Sequence, residues 1–361
     1  MKAVKRVRAW LSEKGYDAVV LGRRDNYTWV SEGAKNHVTS NTEEGVAYCV
    51  IGAEEIWLLA DNSDLLRMSK EQNPLDAEPV LVLWYESMED KIREMARGKK
   101  YVSDTGIAGT ENVQEALVDI RMKLSEEEVK HYREIGVECA EIVEGICKEA
   151  KPGQTEKEVA QKLMCRCIKR GISSDCVLVG SDERIIDYRH PMPTDKKIKK
   201  SLMVVLGGEK HGFYISMTRI VYFDEVPQEI VTRHQKTQYI FACMQQMMKE
   251  GMTYGEYFRK LQALYKEVGY AGEWKMHHQG GPTGYGCREF VMIPGLEKEI
   301  HIGQAYAWNP TIRGTKCEET TYLGSNGVEV FTRTEGWPCT VVDTPYGAFG
   351  VAEILERKTS C

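Results

Sequence analysis

Two short segments constrain this chain more than any other feature. Lys151-Pro-Gly-Gln-Thr-Glu-Lys-Glu158 and Lys249-Glu-Gly-Met-Thr-Tyr-Gly-Glu256 share the pattern K-x-G-x-T-x-x-E. In each, the glycine suits the end of one helix, the threonine suits the N-cap of the next, and the glutamate three residues on completes a capping box. The same helix pair is therefore used twice, each time followed by extended segments. That arrangement predicts two duplicated halves packed about a pseudo-twofold axis, with a cleft between them of the kind in which ligands commonly bind.

The rest of the chain is organised around that duplication. The first third alternates a helix near Val4 to Lys14, extended runs at Ala18 to Leu21, Val46 to Ile51, Ile56 to Leu59, Pro79 to Trp84 and Tyr101 to Val102, and a charged helical stretch from Ser87 to Arg97. This reads as a small α/β domain over 1–121. Around Arg121 the pattern changes: Leu124-Ser-Glu-Glu-Glu-Val opens a long helix with Ser125 as N-cap and Glu128 closing its capping box, so a second domain spans 122–361. The fold class expected is α/β (α+β).

Composition narrows the functional classes. With 42% hydrophobic and 28% charged residues the chain has the balance of a soluble globular protein. Its apolar runs, such as Leu202 to Leu206, fall far short of the roughly 20 residues a membrane span needs. The charges in the first ten residues are spaced among the apolar ones, as in an amphipathic helix and unlike a signal peptide, so a cytoplasmic protein with no membrane partner is expected. A net charge of -6 with no basic stretch argues against nucleic acid. The 11 cysteines, scattered from Cys49 to Cys361 without a Cys-x-x-Cys pair, suit reduced and mostly buried thiols. Cys165 and Cys167 lie two apart in a helical stretch and point to different faces, which makes a shared metal improbable.

The helix pair, together with Tyr188-Arg-His-Pro, Gly212-Phe-Tyr-Ile-Ser-Met-Thr-Arg219, His277-His-Gln-Gly-Gly-Pro-Thr-Gly284, Trp308-Asn-Pro310 and Lys316-Cys-Glu-Glu319, resembles the superfamily of methionine aminopeptidase, aminopeptidase P, prolidase and creatinase. The likeness runs in order from about Leu124 to Lys358. It implies a C-terminal pita-bread domain, while Arg24-Asp-Asn-Tyr-Thr-Trp29 makes the first domain look like the N-terminal domain of the prolidase and creatinase branch. Peptidases of this superfamily hold two divalent metals with two aspartates, a histidine and two glutamates. Here Val205-Leu-Gly-Gly208 contains no carboxylate, the second aspartate position falls on Ser216, the histidine on Gly281 and the first glutamate on Asn309; Glu318 alone keeps its type. One glutamate with an amide and a hydroxyl cannot supply the charge such cations need, so neither a dinuclear metal site nor any cofactor is expected. A single-metal site built from His277, His278 and Glu289 stays open, though no His-x-x-x-His spacing supports it.

The remaining chemistry rests on a few residues. His190 aligns with the histidine that creatinase, which works without metal, uses for proton transfer; a neutral imidazole can take and return a proton in one cycle. Arg288 falls where the peptidases carry a second catalytic histidine, and as a fixed cation it clamps carboxylates or stabilises an oxyanion, unless it serves only as a salt-bridge partner of Glu289 or Glu318. If His277 and His278 lie in a strand, at most one faces the cleft, and His278 is preferred. Glu318 binds substrate N–H groups, orients His190 or pairs with an arginine. Ser216 and Asn309 in place of carboxylates, with Arg288 added, disfavour a strongly cationic substrate.

The resulting expectation is a metal-independent creatinase-like hydrolase of a C–N bond in a small neutral, zwitterionic or anionic molecule. The alternatives are an Xaa-Pro dipeptidase-like metallopeptidase with atypical ligands, acting on a dipeptide-like substrate, and a non-catalytic module that holds peptides or proteins. The resemblance further implies a homodimer in which the small domain covers the partner's cleft, so that Arg23, Arg24 or Trp29 reaches a neighbouring site; surface charge and core packing are the competing roles for these three.

Overall fold

The computed structural model describes residues 1–358; Cys361 lies outside them. The chain divides into two compact units, Met1–Met122 and Lys123 onward.

In the first unit, helix α1 (Lys2–Lys14) buries Val4, Val7 and Leu11 at helical spacing and stops at Gly15, whose φ of 70° a side chain would resist. Strands β1 (Ala18–Arg23), β2 (Glu44–Gly52), β3 (Ile56–Asp61), β4 (Glu78–Val82), β5 (Tyr101–Ser103) and β6 (Glu111–Asn112) form one mixed sheet in the order β4-β3-β2-β1-β5-β6. Helices α2 (Arg24–Val30), α3 (Leu65–Glu71), α4 (Met88–Met95) and α5 (Gln114–Arg121) complete the unit. Trp29 is wholly buried in it. Arg24 donates to the Ser40 and Thr42 carbonyls at 2.7 and 2.9 Å, and Arg23 pairs with Asp25 and Glu43. The packing role proposed for Trp29 is thus the one its surroundings provide, because a ring with no exposed surface presents nothing to a second chain.

The second unit carries the repeat. Helices α6 (Glu126–Glu149) and α7 (Glu156–Lys169) precede strands β7 (Ser173–Ser181), β8 (Ser201–Lys210) and β9 (Phe213–Tyr222), with the short α8 (Glu183–Asp187) between β7 and β8. Helices α9 (Gln228–Gln246) and α10 (Tyr254–Glu267) precede β10 (Gly280–Thr283), β11 (Gln304–Trp308), the two-residue pair β12 (Thr311–Ile312) and β13 (Thr315–Lys316), β14 (Glu319–Gly324) and β15 (Gly327–Val330). The last strands are β16 (Cys339–Val342), β17 (Phe349–Ala352) and β18 (Leu355–Glu356). Two four-stranded sheets result, β18-β9-β8-β7 and β10-β11-β14-β15.

The two K-x-G-x-T-x-x-E turns have matching backbone partners. Gly153 N–H donates to the Ile198 carbonyl and Gly251 N–H to the Ile300 carbonyl, both at 2.9 Å, while Thr155 bridges Lys197 and Thr253 bridges Glu299. Two sequence details need correction. The glycines do not cap the preceding helices: α6 ends at Glu149 with Ala150 as its C-cap, and Gly153, with φ 89°, lies beyond it in the turn. The capping box is complete at Thr155 and Glu158, but Thr253 caps Glu256 without the reciprocal bond, and Glu256 faces Lys260 instead.

The sheets meet along β9 and the start of β14. Thr218 N–H donates to the Glu318 carbonyl at 3.2 Å and Ser216 N–H to Thr320 Oγ1 at 2.8 Å. Beside this seam Arg219, wholly buried, binds Glu144 of α6 at 3.0 Å, Glu319 at 2.9 Å and the Thr332 carbonyl at 2.7 Å. Glu318 and Glu319 do alternate: Glu319 turns into this network and Glu318 away from it. Among the described residues all cysteines are free, Cys165 exposed and Cys167 buried, and no helix is long and apolar enough to cross a membrane. Because Arg219 compensates two buried carboxylates, Arg219→Leu should destabilise the protein by about 3–5 kcal/mol, read as a lower urea midpoint; an unchanged midpoint would remove this network as the tie between sheet and helix.

Candidate functional site

Three imidazoles converge in the second unit. His190 lies in the loop after α8, and His277 and His278 in the loop before β10. One ring nitrogen of each lies within 4.8 Å of the others. The His190 and His277 Nε2 atoms are 3.0 Å apart, and the His277 and His278 rings stack with centroids 4.5 Å apart. The condition under which at most one of the paired histidines would face the cleft is not met, because neither belongs to a strand: the chain turns between a 3-10 segment ending at Met276 and β10.

Local packing explains how these loops hold their shape. Pro191 rests on Gly180, where an added Cβ would come 2.6 Å from the proline ring, and the Pro191 carbonyl accepts from Val179 N–H at 3.2 Å. On the other loop, Tyr265 donates to the Gln279 side-chain oxygen at 2.7 Å, and the Gln279 amide donates to the His277 carbonyl at 2.6 Å. Gly280, with φ 99°, lets β10 approach β11 so closely that a Cβ would lie 2.1 Å from the Ala307 carbonyl oxygen. An ion pair between Arg189 and Glu273 ties the two loops together.

Next in the site is a buried carboxylate with two cations. Glu318 is 2.8 Å from Lys316 Nζ and 3.5 Å from Arg288, and it accepts from the Thr218 hydroxyl at 2.6 Å. Arg288 also donates to Ser216 Oγ at 3.0 Å. Of the two partners considered for Arg288, the structure selects Glu318. Glu289 accepts from Gly286 N–H at 3.1 Å and is not among the clustered donors; the third member beside His277 and His278 is His190, which sequence reasoning had not placed with them. Asn309 is buried, and its side-chain oxygen has no hydrogen-bond partner among the described residues. Sequence reasoning missed Lys316 as a site residue. The signal was its spacing two before Glu318 in an extended segment, which puts both side chains on one face.

Charge in the site follows from these contacts. Burial pushes the Glu318 carboxyl up, but the Lys316 ammonium and Arg288 guanidinium outweigh it and hold it down at about 2. Burial, then Lys316, lowers His190 below its ordinary value, with Glu318 opposing. His277 is lowered to about 3 by burial, Lys316 and His278, and His278 to about 4 by burial and Arg288. At neutral pH the site therefore presents three neutral imidazoles, one carboxylate and two fixed cations.

The superfamily's pair of divalent metals does not fit this site. A side chain at Gly281 would meet the Phe290 carbonyl at 2.3 Å, so that position has no room for a ligand. Ser216 is engaged by Arg288, and the remaining glutamate is engaged by two cations.

Glu318→Gln tests the charge arrangement. Loss of the carboxylate leaves Lys316 and Arg288 uncompensated and should cost about 3–5 kcal/mol at neutral pH. A depressed folded-state value gives stability that is present above the ordinary 4.5 and lost as pH falls toward about 2, so the gap between variant and parent should narrow on acidification. Urea midpoints at neutral pH and near about pH 3.5 measure it; a pH-independent gap would contradict the assignment.

Comparison with known proteins accords with this architecture. Residues 130–330 match metallopeptidase family M24, and residues 4–142 match the creatinase/prolidase N-terminal domain. The Xaa-Pro dipeptidase of Pyrococcus furiosus is 24% identical over 90% of this chain and 96% of its own length. Among solved structures, the prolidase of Pyrococcus horikoshii OT3 superposes with a TM-score of 0.76 at 18% identity, covering 93% of this chain and 99% of that one. The Xaa-Pro dipeptidase of Bacillus anthracis gives 0.76 at 19% identity with 99% of both chains covered. With more than half of its length matched, and with the duplicated helix pairs and paired sheets described above, the chain belongs to metallopeptidase family M24.

Proposed function

We propose that this protein hydrolyses a C–N bond in a small dipeptide-like substrate, in the manner of an Xaa-Pro dipeptidase with an atypical site. The observation that carries this reading is the joint placement of an imidazole cluster and a cation-flanked carboxylate in the M24 domain. The Xaa-Pro dipeptidase relative that aligns over nearly the whole chain supports the substrate class. Two cations against one carboxylate leave a net positive pocket, which suits a substrate carrying a carboxylate and disfavours a cationic one such as a guanidinium.

The residues divide the work as follows. His190 is exposed on one side and unprotonated at neutral pH, so with no ion bound it accepts the proton of the attacking water. Arg288, held by Ser216 and Glu318, presents fixed N–H donors to the oxygen on which negative charge develops. The unpartnered side-chain oxygen of Asn309 is a ready acceptor for a substrate N–H. Glu318 fixes both cations and so acts as a positioning residue. The second chain of a homodimer and a cytoplasmic setting remain part of this proposal.

Turnover of Xaa-Pro dipeptides, creatine, simple amides and ureides by the purified protein tests it. A small zwitterionic or anionic substrate should be cleaved, and His190→Ala should lower kcat by about 10²- to 10⁴-fold. Since a base must be unprotonated and His190 is lowered from 6.5, the acid limb of kcat/KM should lie below that value. Full activity in the variant, or no turnover of any compound, would defeat the proposal.

A further inference from the structure

The imidazole cluster has a property that proton transfer by His190 does not require, namely three ring nitrogens brought to one point. We infer that His190, His277 and His278 form a mononuclear site for a late first-row divalent transition ion, of the class of zinc(II) or nickel(II), built from donors other than the superfamily's carboxylate set. The inference deepens the hydrolase reading and rests on it for the use of the ion, but not for its binding.

Geometry carries the argument. Metal–nitrogen bonds of about 2.0–2.1 Å at a tetrahedral angle place donor atoms about 3.3 Å apart. The His190 and His277 nitrogens stand at 3.0 Å, and the whole set lies within 4.8 Å, so an ion needs shifts of a few tenths of an ångström for one pair and at most about 1.5 Å for the third ring. The loops are held in register by the Arg189–Glu273 pair, by Pro191 against Gly180 and by the Tyr265–Gln279 bonds to the His277 carbonyl. The His277 ring is not saturated by protein contacts: its Nδ1 atom is buried and has no hydrogen-bond partner among the described residues. Whichever nitrogen carries its proton, this ring shares its Nε2 with His190 and leaves its other nitrogen unsatisfied.

Ligand chemistry sets the class of ion and its number. Neutral imidazoles suit zinc, nickel and copper, whereas magnesium, calcium and manganese prefer oxygen donors. Lys316 and Arg288 both contact Glu318, which offsets only one of their two charges, so a second dication is disfavoured. His190 and His278 are exposed, which provides an entry path, and three protein ligands leave a coordination position open to water or substrate. When the ion binds, His190 passes from base to ligand.

Equilibrium dialysis of the chelator-treated full chain against zinc(II), nickel(II) or manganese(II), with metal analysis, tests the site. One zinc or nickel per chain and no manganese is expected. His190→Ala and His278→Ala, both at exposed positions, should each weaken binding by at least about 100-fold, with thermal unfolding confirming that the variants fold. The exposed thiols of Cys165, Cys176, Cys287 and Cys339 are the rival ligands, and the visible spectrum of the cobalt(II) form separates nitrogen from thiolate ligation. No bound ion, two ions per chain, a thiolate spectrum or unchanged affinity in either variant would each overturn the site. Ion binding without turnover of any dipeptide upholds the site and removes the hydrolase reading; turnover by protein that binds no ion does the reverse.

Discussion

The site depends on one buried ionic contact, the Glu318 carboxylate held between Lys316 and Arg288. Without the two cations, burial alone would drive that carboxyl toward its neutral form; with them, it stays ionised far below the usual carboxylate range. The contact also fixes the cations, since Arg288 is anchored on its other side by Ser216. Two cations against one carboxylate give this part of the pocket its positive charge. The proposed preference for a carboxylate-bearing substrate rests on that balance.

Around that contact the duplicated architecture works as a frame. Equivalent turns at Gly153 and Gly251 dock the second helix of each pair through matching backbone bonds, and the sheets of the two halves join where β9 runs beside the start of β14. The Arg219 network sits beside this seam and ties it to α6. Glu318 and Glu319 are adjacent in sequence but serve opposite purposes, one facing the candidate site and one the structural network, as the alternation of an extended chain requires.

Much of the frame was legible because it is written in local signals. Capping residues at Ser125 and Thr155 and the amphipathic spacing of the first helix each act within a few residues, and the structure has them where the sequence placed them. At Gly281, where the resemblance would put a histidine ligand, the Phe290 carbonyl leaves no room for a side chain. The separation of His277 and His278 was conditional on a strand, whose geometry parts adjacent side chains; they lie instead in the loop ahead of Gly280, which stacks them.

The amino-acid sequence alone determined that two helix pairs repeat, that the superfamily's carboxylates are missing and that His190, Arg288 and Glu318 remain as chemical groups, since all of these are properties of residue type and short-range spacing. Only the tertiary structure decided that His190 meets His277 and His278, that Lys316 and Arg288 share Glu318, and that Trp29 is sealed in a core. Each of those outcomes joins residues from separate loops or strands, and their distances are set by the packing of sheets and glycine contacts that no local pattern encodes.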